Sequence, residues 1–507
     1  MSPASPREAR AAAATFAALC TALFGLLLLA PMRDVVLRFM HDDAFYYFGI
    51  ARRWNRLGFP TFDGITATNG YHPLWQWVLL AASPRFPDPT TFVRAGAASG
   101  VVCLGLAAWL IARRLAWEDN PHRSLAYAWV AGALLFATIY GMESPFAAAL
   151  LAAAISAAPR GTVEWTPPRA LACGVATALL FLARIDALIW LAALDAVLAM
   201  AAWNGNRRLL RLIALVIGVQ AVVVGGYFLS NWINWDHLLT ISAAVKAARA
   251  PTLSLTVPRS VLLFLATAVT ALGTAPLMEF STAWLRRQRG VAWPLVTPAW
   301  LALANLAYLA TIVAKGNRET YNWYFVLTVL SGAYLLPVCL ERYGTGWLKI
   351  PERPLKLSGV ALCALLLAQS VYSKITQPNG FLVQYDQAAV LATFPEDSLV
   401  LAANDCGILG YFSRQHVINL DGLTNSWGFQ TALADDRLGP WLIDLGFNAY
   451  VTPASAAIEG GTVALETRAG LRSPPRTLRL RVEPMPGAPR LASGIGVWRV
   501  VEVGPAP

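Results

Sequence analysis

Ala11–Met32 runs for 22 residues without one charged side chain. As a helix it is about 33 Å long, enough to cross a hydrocarbon core of about 30 Å. Arg7 and Arg10 precede it. The apolar region of a cleaved signal peptide is shorter, about 7–15 residues. The run therefore reads as an uncleaved anchor with its N-terminus in the cytoplasm. Ten more apolar runs follow, at about 91–112, 124–140, 144–158, 168–183, 187–203, 209–230, 259–280, 292–314, 323–340 and 357–372. Segments surrounded by lipid must satisfy their own backbone polar groups, which here means helices.

Alternate threading from a cytoplasmic N-terminus gives a charge test. The short loops assigned inside hold fifteen Lys and Arg, and the short outside loops hold six. That bias follows the positive-inside rule and agrees with an odd number of spans. It also accounts for the formal net charge of +11, so no nucleic-acid partner is implied. A chain 57% hydrophobic and only 14% charged is not a soluble enzyme. The six cysteines show no paired spacing and suggest neither a disulfide framework nor a zinc site.

Two segments depart from a plain bundle. Residues 33–90 form a long first outside loop containing DDAFYYFGIARRW, with helical periodicity, and HPLWQWVLLAAS, too brief to span. Both read as juxtamembrane helices along the membrane surface. Residues 374–507 carry turn signals between short β-rich runs, SLVLAAND, QHVINL and TLRLRVE. The expected architecture is an α-helical polytopic membrane protein with about 11 transmembrane helices. A transmembrane domain spans 1–373, and 374–507 form a small extracytoplasmic soluble domain, α/β or α+β.

Polar groups gather on the outside face. Asp42 and Asp43 open a helix; TATNGYHPLW supplies Asn69 and His72; YGMESP supplies Glu143; LARID supplies Arg184 and Asp186; then come Lys246 and KGNRETYNWY. Ionisable groups at membrane depth are expensive and default to functional hypotheses. Each also has a bland reading. An Asp can cap a helix, Arg184 and Asp186 can simply pair, Lys246 can extend its charge to the interface, and His72 can pack before Pro73. Convergence on one face favours chemistry.

In their order, an anchor, an acidic pair, TNGYHPLW, GME, an R-x-D and an outside Lys, these residues resemble the GT-C superfamily of polytopic glycosyltransferases. Its members include protein O-mannosyltransferases, aminoarabinose transferases and arabinofuranosyltransferases. The tail stretch NDCGILGYFSRQHVINLDGLTNS, 404–426, resembles the outside domain of arabinofuranosyltransferase-like members. The resemblance implies a polyprenyl-phosphate-linked sugar donor, and an extracytoplasmic glycan, lipid or protein as acceptor. It makes Asp42 the base that accepts the acceptor hydroxyl's proton and Asp43 its support, with Lys246 placed to hold the lipid phosphate. A leaving phosphate gains charge and needs cations, for which Arg184 and Arg318 are further candidates. Tyr46, Tyr321 and Trp323 offer aromatic faces for sugar or headgroup. A divalent cation, Mg²⁺ or Mn²⁺, between Asp42 and Glu143 suits carboxylate ligands, though no spacing demands it. The competing readings are a transporter or flippase of lipid-linked sugars, which predicts repeat symmetry and broken spans, and a non-catalytic envelope assembly protein.

Overall fold

The computed structural model describes residues 6–161, 165–202, 207–248, 261–288, 292–315, 321–343, 361, 364–369, 371–372, 375–376, 381–453, 460–468, 470–471, 474–485 and 495–505. The chain divides into two compact units. Unit 1 comprises 1–30, 95–227 and 251–378; unit 2 comprises 31–94, 228–250 and 379–507.

Unit 1 is helical. Its helices are α1 (Pro6–Leu29), most of α5 (Pro89–Trp117), α6 (Ser124–Ala133), α7 (Ser144–Ala157), α8 (Pro167–Ala183), α9 (Leu188–Ala202), most of α10 (Arg207–Trp235), α12 (Val261–Leu285), α13 (Val296–Lys315) and α14 (Val326–Tyr343). Among the described residues, seven helices are long and apolar enough to cross a membrane, and the chain is a multi-pass membrane protein. Three further runs form shorter helices, of 10 residues in α6, 14 in α7 and 17 in α8. The last expected run, 357–372, is described only at 361, 364–369 and 371–372, which are helical. Lipid offers no hydrophobic drive for helix pairing, so close packing and polar contacts hold such helices together. Gly332 fits against Trp129 and Val269, and Gly273 against Ala302. Trp129 Nε1 donates to the Val329 carbonyl at 2.8 Å, Trp300 Nε1 to the Trp190 carbonyl at 2.8 Å, and Asn305 Nδ2 to Ser331 Oγ at 2.7 Å. Outward positions such as Val222 and Met278 stay exposed and apolar.

Unit 2 contains α2 (Met32–Phe39), α3 (Asp42–Leu57), α4 (Pro73–Ala82), α11 (Ile241–Ala248), α15 (Leu382–Leu391), α16 (Gly407–Phe412), α17 (Trp427–Ala434) and α18 (Leu438–Asp444). The two helical patterns read in the first outside loop are α3 and α4. The tail is α+β. Strands β1 (Val400–Ala403) and β2 (His416–Asn419) pair in parallel across α16. A separate antiparallel sheet takes the order β3-β6-β5-β4, with β3 at Ala449–Pro453, β4 at Thr462–Glu466, β5 at Thr477–Pro484 and β6 at Ile495–Pro505. The TLRLRVE run shows why: Leu478, Leu480 and Val482 alternate inward while Arg479, Arg481 and Glu483 face out. The core of this unit joins distant parts of the chain. Tyr46, Ile50 and Phe62 pack with Leu391, Leu401, Leu409 and Val417 in one buried cluster. The acidic helix and the tail thus fold as one body.

Candidate active site

The helix α3 begins at Asp42, and its N-cap is His41. The His41 side chain accepts from the Asp43 backbone N–H at 3.4 Å. Neither aspartate therefore caps its own helix. At the other end Gly58, with φ of 84°, closes the helix by donating to the Trp54 carbonyl at 2.8 Å.

Asp42 caps a different helix. Its two carboxylate oxygens accept the backbone N–H groups of Gly407 at 2.8 Å and Ile408 at 2.7 Å, the first two residues of α16. These are N–H groups a helix start leaves without internal partners. Asp42 is fully buried. Burial pushes its carboxyl up to about 7, against the pull of the two N–H groups and His41. Gly407 is required by this approach, since a Cβ there meets the Asp42 carbonyl oxygen at 2.2 Å.

Asp43 differs in every respect. Its side chain is 36% exposed, and Oδ1 lies 3.6 Å from His41 Nδ1. Burial of its surroundings pushes the carboxyl up, but the His41 contact and the positive charges of Lys246 and Arg468 prevail and hold it below the ordinary range. Lys246 is half-buried on α11. The start of that helix is fixed by Asn69, whose Oδ1 accepts the Ile241 N–H at 3.0 Å. The same stretch is bound to the tail: Thr68 Oγ1 donates to the Asn425 carbonyl at 2.8 Å, and Gly70 leaves no room for a Cβ beside the Leu423 carbonyl. His72 stands immediately before α4, half-buried.

Sequence reasoning left the tail residues unassigned, yet they complete this end of unit 2. The Tyr46 hydroxyl accepts the Cys406 N–H at 2.9 Å and Asn419 Nδ2 at 2.7 Å. Arg468 reaches Asp405 at 2.7 Å and Asp421 at 2.9 Å, and burial raises the Asp421 carboxyl. Tyr46, only 7% exposed, is thus a positioning residue for 404–421 rather than an open aromatic face. The NDCG and LDG motifs were the available signal for Asp405 and Asp421. Arg468 had none.

A second constellation lies in unit 1. Arg184 donates to Glu143 Oε1 and Asp186 Oδ2, each at 2.7 Å, to Ser144 Oγ at 2.9 Å and to the Trp323 carbonyl at 3.2 Å. Tyr308 donates to Asp186 at 2.9 Å. Tyr321 and Trp323 stack with ring centroids 4.5 Å apart and planes 2° from parallel. The guanidinium is buried and committed to two carboxylates, so this cation joins α7, α8 and α13 and has little left for a phosphate. Arg318 lies outside the described residues.

Each carboxylate named for a divalent cation already has partners within its own unit. Both Asp42 oxygens hold backbone N–H groups, and Glu143 Oε1 holds Arg184. Among the described residues no group of three His, Cys, Asp or Glu side chains is arranged to hold an ion.

Residues 379–465 match a family model described as a domain of unknown function, DUF8728. Comparison with curated protein sequences gives no match. Among solved structures, ArnT from Cupriavidus metallidurans bound to undecaprenyl phosphate is similar with a TM-score of 0.59 at 14% identity, over 96% of this chain and 97% of that one. The oligosaccharyltransferase of Archaeoglobus fulgidus in the apo form gives 0.55 at 12% identity, over 89% of this chain and 70% of that one. The same organism's oligosaccharyltransferase AglB, in complex with an inhibitory peptide and a dolichol-phosphate, gives 0.52 at 12%, over 87% and 69%. The chain shares the polytopic membrane fold of these solved transferases.

Proposed function

We propose that this protein is a membrane glycosyltransferase that moves a sugar from a polyprenyl-phosphate donor to an acceptor in the cell envelope. The observation that carries the reading is Asp43: a part-exposed carboxylate at a helix start, 3.6 Å from His41 and within electrostatic reach of Lys246 and Arg468, beside an aspartate whose two oxygens hold backbone N–H groups. The shared fold supports it, since ArnT is known with undecaprenyl phosphate and AglB with a dolichol-phosphate. On this reading the acceptor hydroxyl oxygen attacks the anomeric carbon, and its proton passes to Asp43. The bond from that carbon to the phosphate oxygen breaks, and the polyprenyl phosphate leaves with the electron pair. Lys246 stabilises the charge that grows on it. Asp43, rather than Asp42, is the base because a base must reach the proton it removes. The acceptor is a glycan, lipid or protein outside the cytoplasm, and residues 379–507 lie on that face. Asp43→Asn removes the base without changing shape and lowers transfer by roughly 10²–10⁴. Transfer from a synthetic polyprenyl-phosphate sugar in purified membranes measures it, and a wild-type rate refutes the assignment.

A further inference from the structure

Unit 2 holds a basic pocket that the chemistry above does not use. Its volume is about 610 Å³, and Arg52, Arg53, Arg56 and Arg414 line it together with Glu396. Phe86 and Tyr411 add aromatic faces. The walls are fixed by hydrogen bonds. Arg52 Nη1 donates to the Pro87 carbonyl at 2.9 Å, the Tyr411 hydroxyl to the Pro89 carbonyl at 2.8 Å, and Asn55 Nδ2 to the Leu80 carbonyl at 2.8 Å.

The charges do not cancel. Arg56 pairs with Glu396 at 2.7 Å and Asp397 at 3.1 Å. Arg53 is 7% exposed and donates to the Gln415 carbonyl, while its Nη1 is buried without a partner among the described residues. Arg414 is exposed and has no ion-pair partner among the described residues. Asp63 and Asp397 act on Arg53, and Asp88 interacts with Arg52, yet of the charged residues that line the pocket itself four are arginines and one is Glu396, which leaves the lining positive. Guanidinium forks match phosphate oxygens in pairs, which makes phosphate the fitting ligand chemistry.

The location selects the source of that phosphate. Pro89, in the pocket wall, is the first residue of α5, one of the helices able to cross a membrane. The preceding α4 presents Trp77 and Val78, 45% and 40% exposed. Arginines at the mouth of a span beside an exposed tryptophan stand at headgroup level. We propose that this pocket binds the phosphate of an anionic phospholipid headgroup. The site is separate from the acidic end of α3, since ten residues of helix place Arg52 about 15 Å along the axis from Asp42.

The test uses the full chain purified in detergent, titrated with phosphatidylglycerol or phosphatidylcholine and read by native mass spectrometry. The wild-type protein retains phosphatidylglycerol in preference to phosphatidylcholine. Arg52→Gln with Arg414→Gln weakens that retention about 30-fold, about fivefold per arginine. Arg52→Lys with Arg414→Lys keeps most of it, and the ion-paired surface variant Arg481→Gln keeps all of it. Equal retention of the two lipids by the wild-type protein overturns the proposal, as does an equal loss in Arg481→Gln. Inorganic phosphate that displaces the lipid at equimolar concentration also overturns it, since the pocket then serves a soluble anion.

Discussion

Asp42→Asn separates the two aspartates physically. The asparagine keeps the shape of the side chain and still offers one oxygen, so it can accept one of the two N–H groups now held at 2.8 and 2.7 Å. Its amide nitrogen must face the other, donor against donor, in a site with no solvent exposure. A buried backbone N–H without a partner costs about 1–3 kcal/mol, or about 5–150-fold in a local equilibrium. The start of α16 should therefore open more often, and the Gly407 and Ile408 amides should exchange with solvent faster by that factor. Hydrogen exchange with mass spectrometry of peptides covering 400–412 is the assay, run in parallel with transfer. Asp43→Asn should leave this exchange unchanged and abolish transfer. Unaltered exchange in Asp42→Asn would refute the capping role. Loss of transfer by 10²–10⁴ in that variant, with transfer intact in Asp43→Asn, would return the base to Asp42.

The Asp42 carboxyl sits near 7 in the folded chain against about 4 unfolded, so its contribution favours folding most at acid pH and is lost as pH rises from about 4 to 7. Asp42→Asn should remove that slope from thermal unfolding measured across this range, and an unchanged slope counts against it. Gly407→Ala drives a methyl group into the Asp42 carbonyl oxygen and should destabilise unit 2 by about 1–3 kcal/mol or more, read as a lower melting temperature in detergent. Arg184→Ala leaves Glu143 and Asp186 without their cation and should cost about 3–5 kcal/mol; a melting point within a degree of wild type sinks the clamp. Lys246→Ala should raise the apparent donor KM by about 10–150-fold, the loss of one charge-assisted contact of about 1.5–3 kcal/mol, with a smaller rise in Asn69→Ala because Asn69 only positions α11.

Hydropathy carried the membrane class because it reports transfer into lipid, whatever the backbone does in detail. It carried less about where helices stop. The apolar run 124–140 leaves the helix after Ala133, although Leu134, Leu135, Ile139 and Tyr140 remain fully buried; burial continues where helical geometry does not. Alternation in TLRLRVE specified a half-buried strand, because period 2 has no other economical reading. The acidic pair was legible as a candidate, but the different surroundings of its two carboxylates were not. That difference depends on Gly407 and Ile408, more than 360 residues away, and nothing local to HDDAFYY encodes them. Arg468 and Tyr308 were missed for the same reason: each acts through a partner distant in sequence.

The cap that Asp42 provides also imposes an order on assembly. The two halves of this contact are 366 residues apart, and at about 5–20 residues per second the ribosome needs about 20–70 s to travel between them. During that interval α3 has emerged with a buried-type carboxylate and no helix to cap, while the remaining membrane helices are still being made. The acidic end of α3 therefore stays incomplete until Ile408 has been made. Any chain cut short before Gly407 carries both aspartates yet lacks the two amides that hold Asp42.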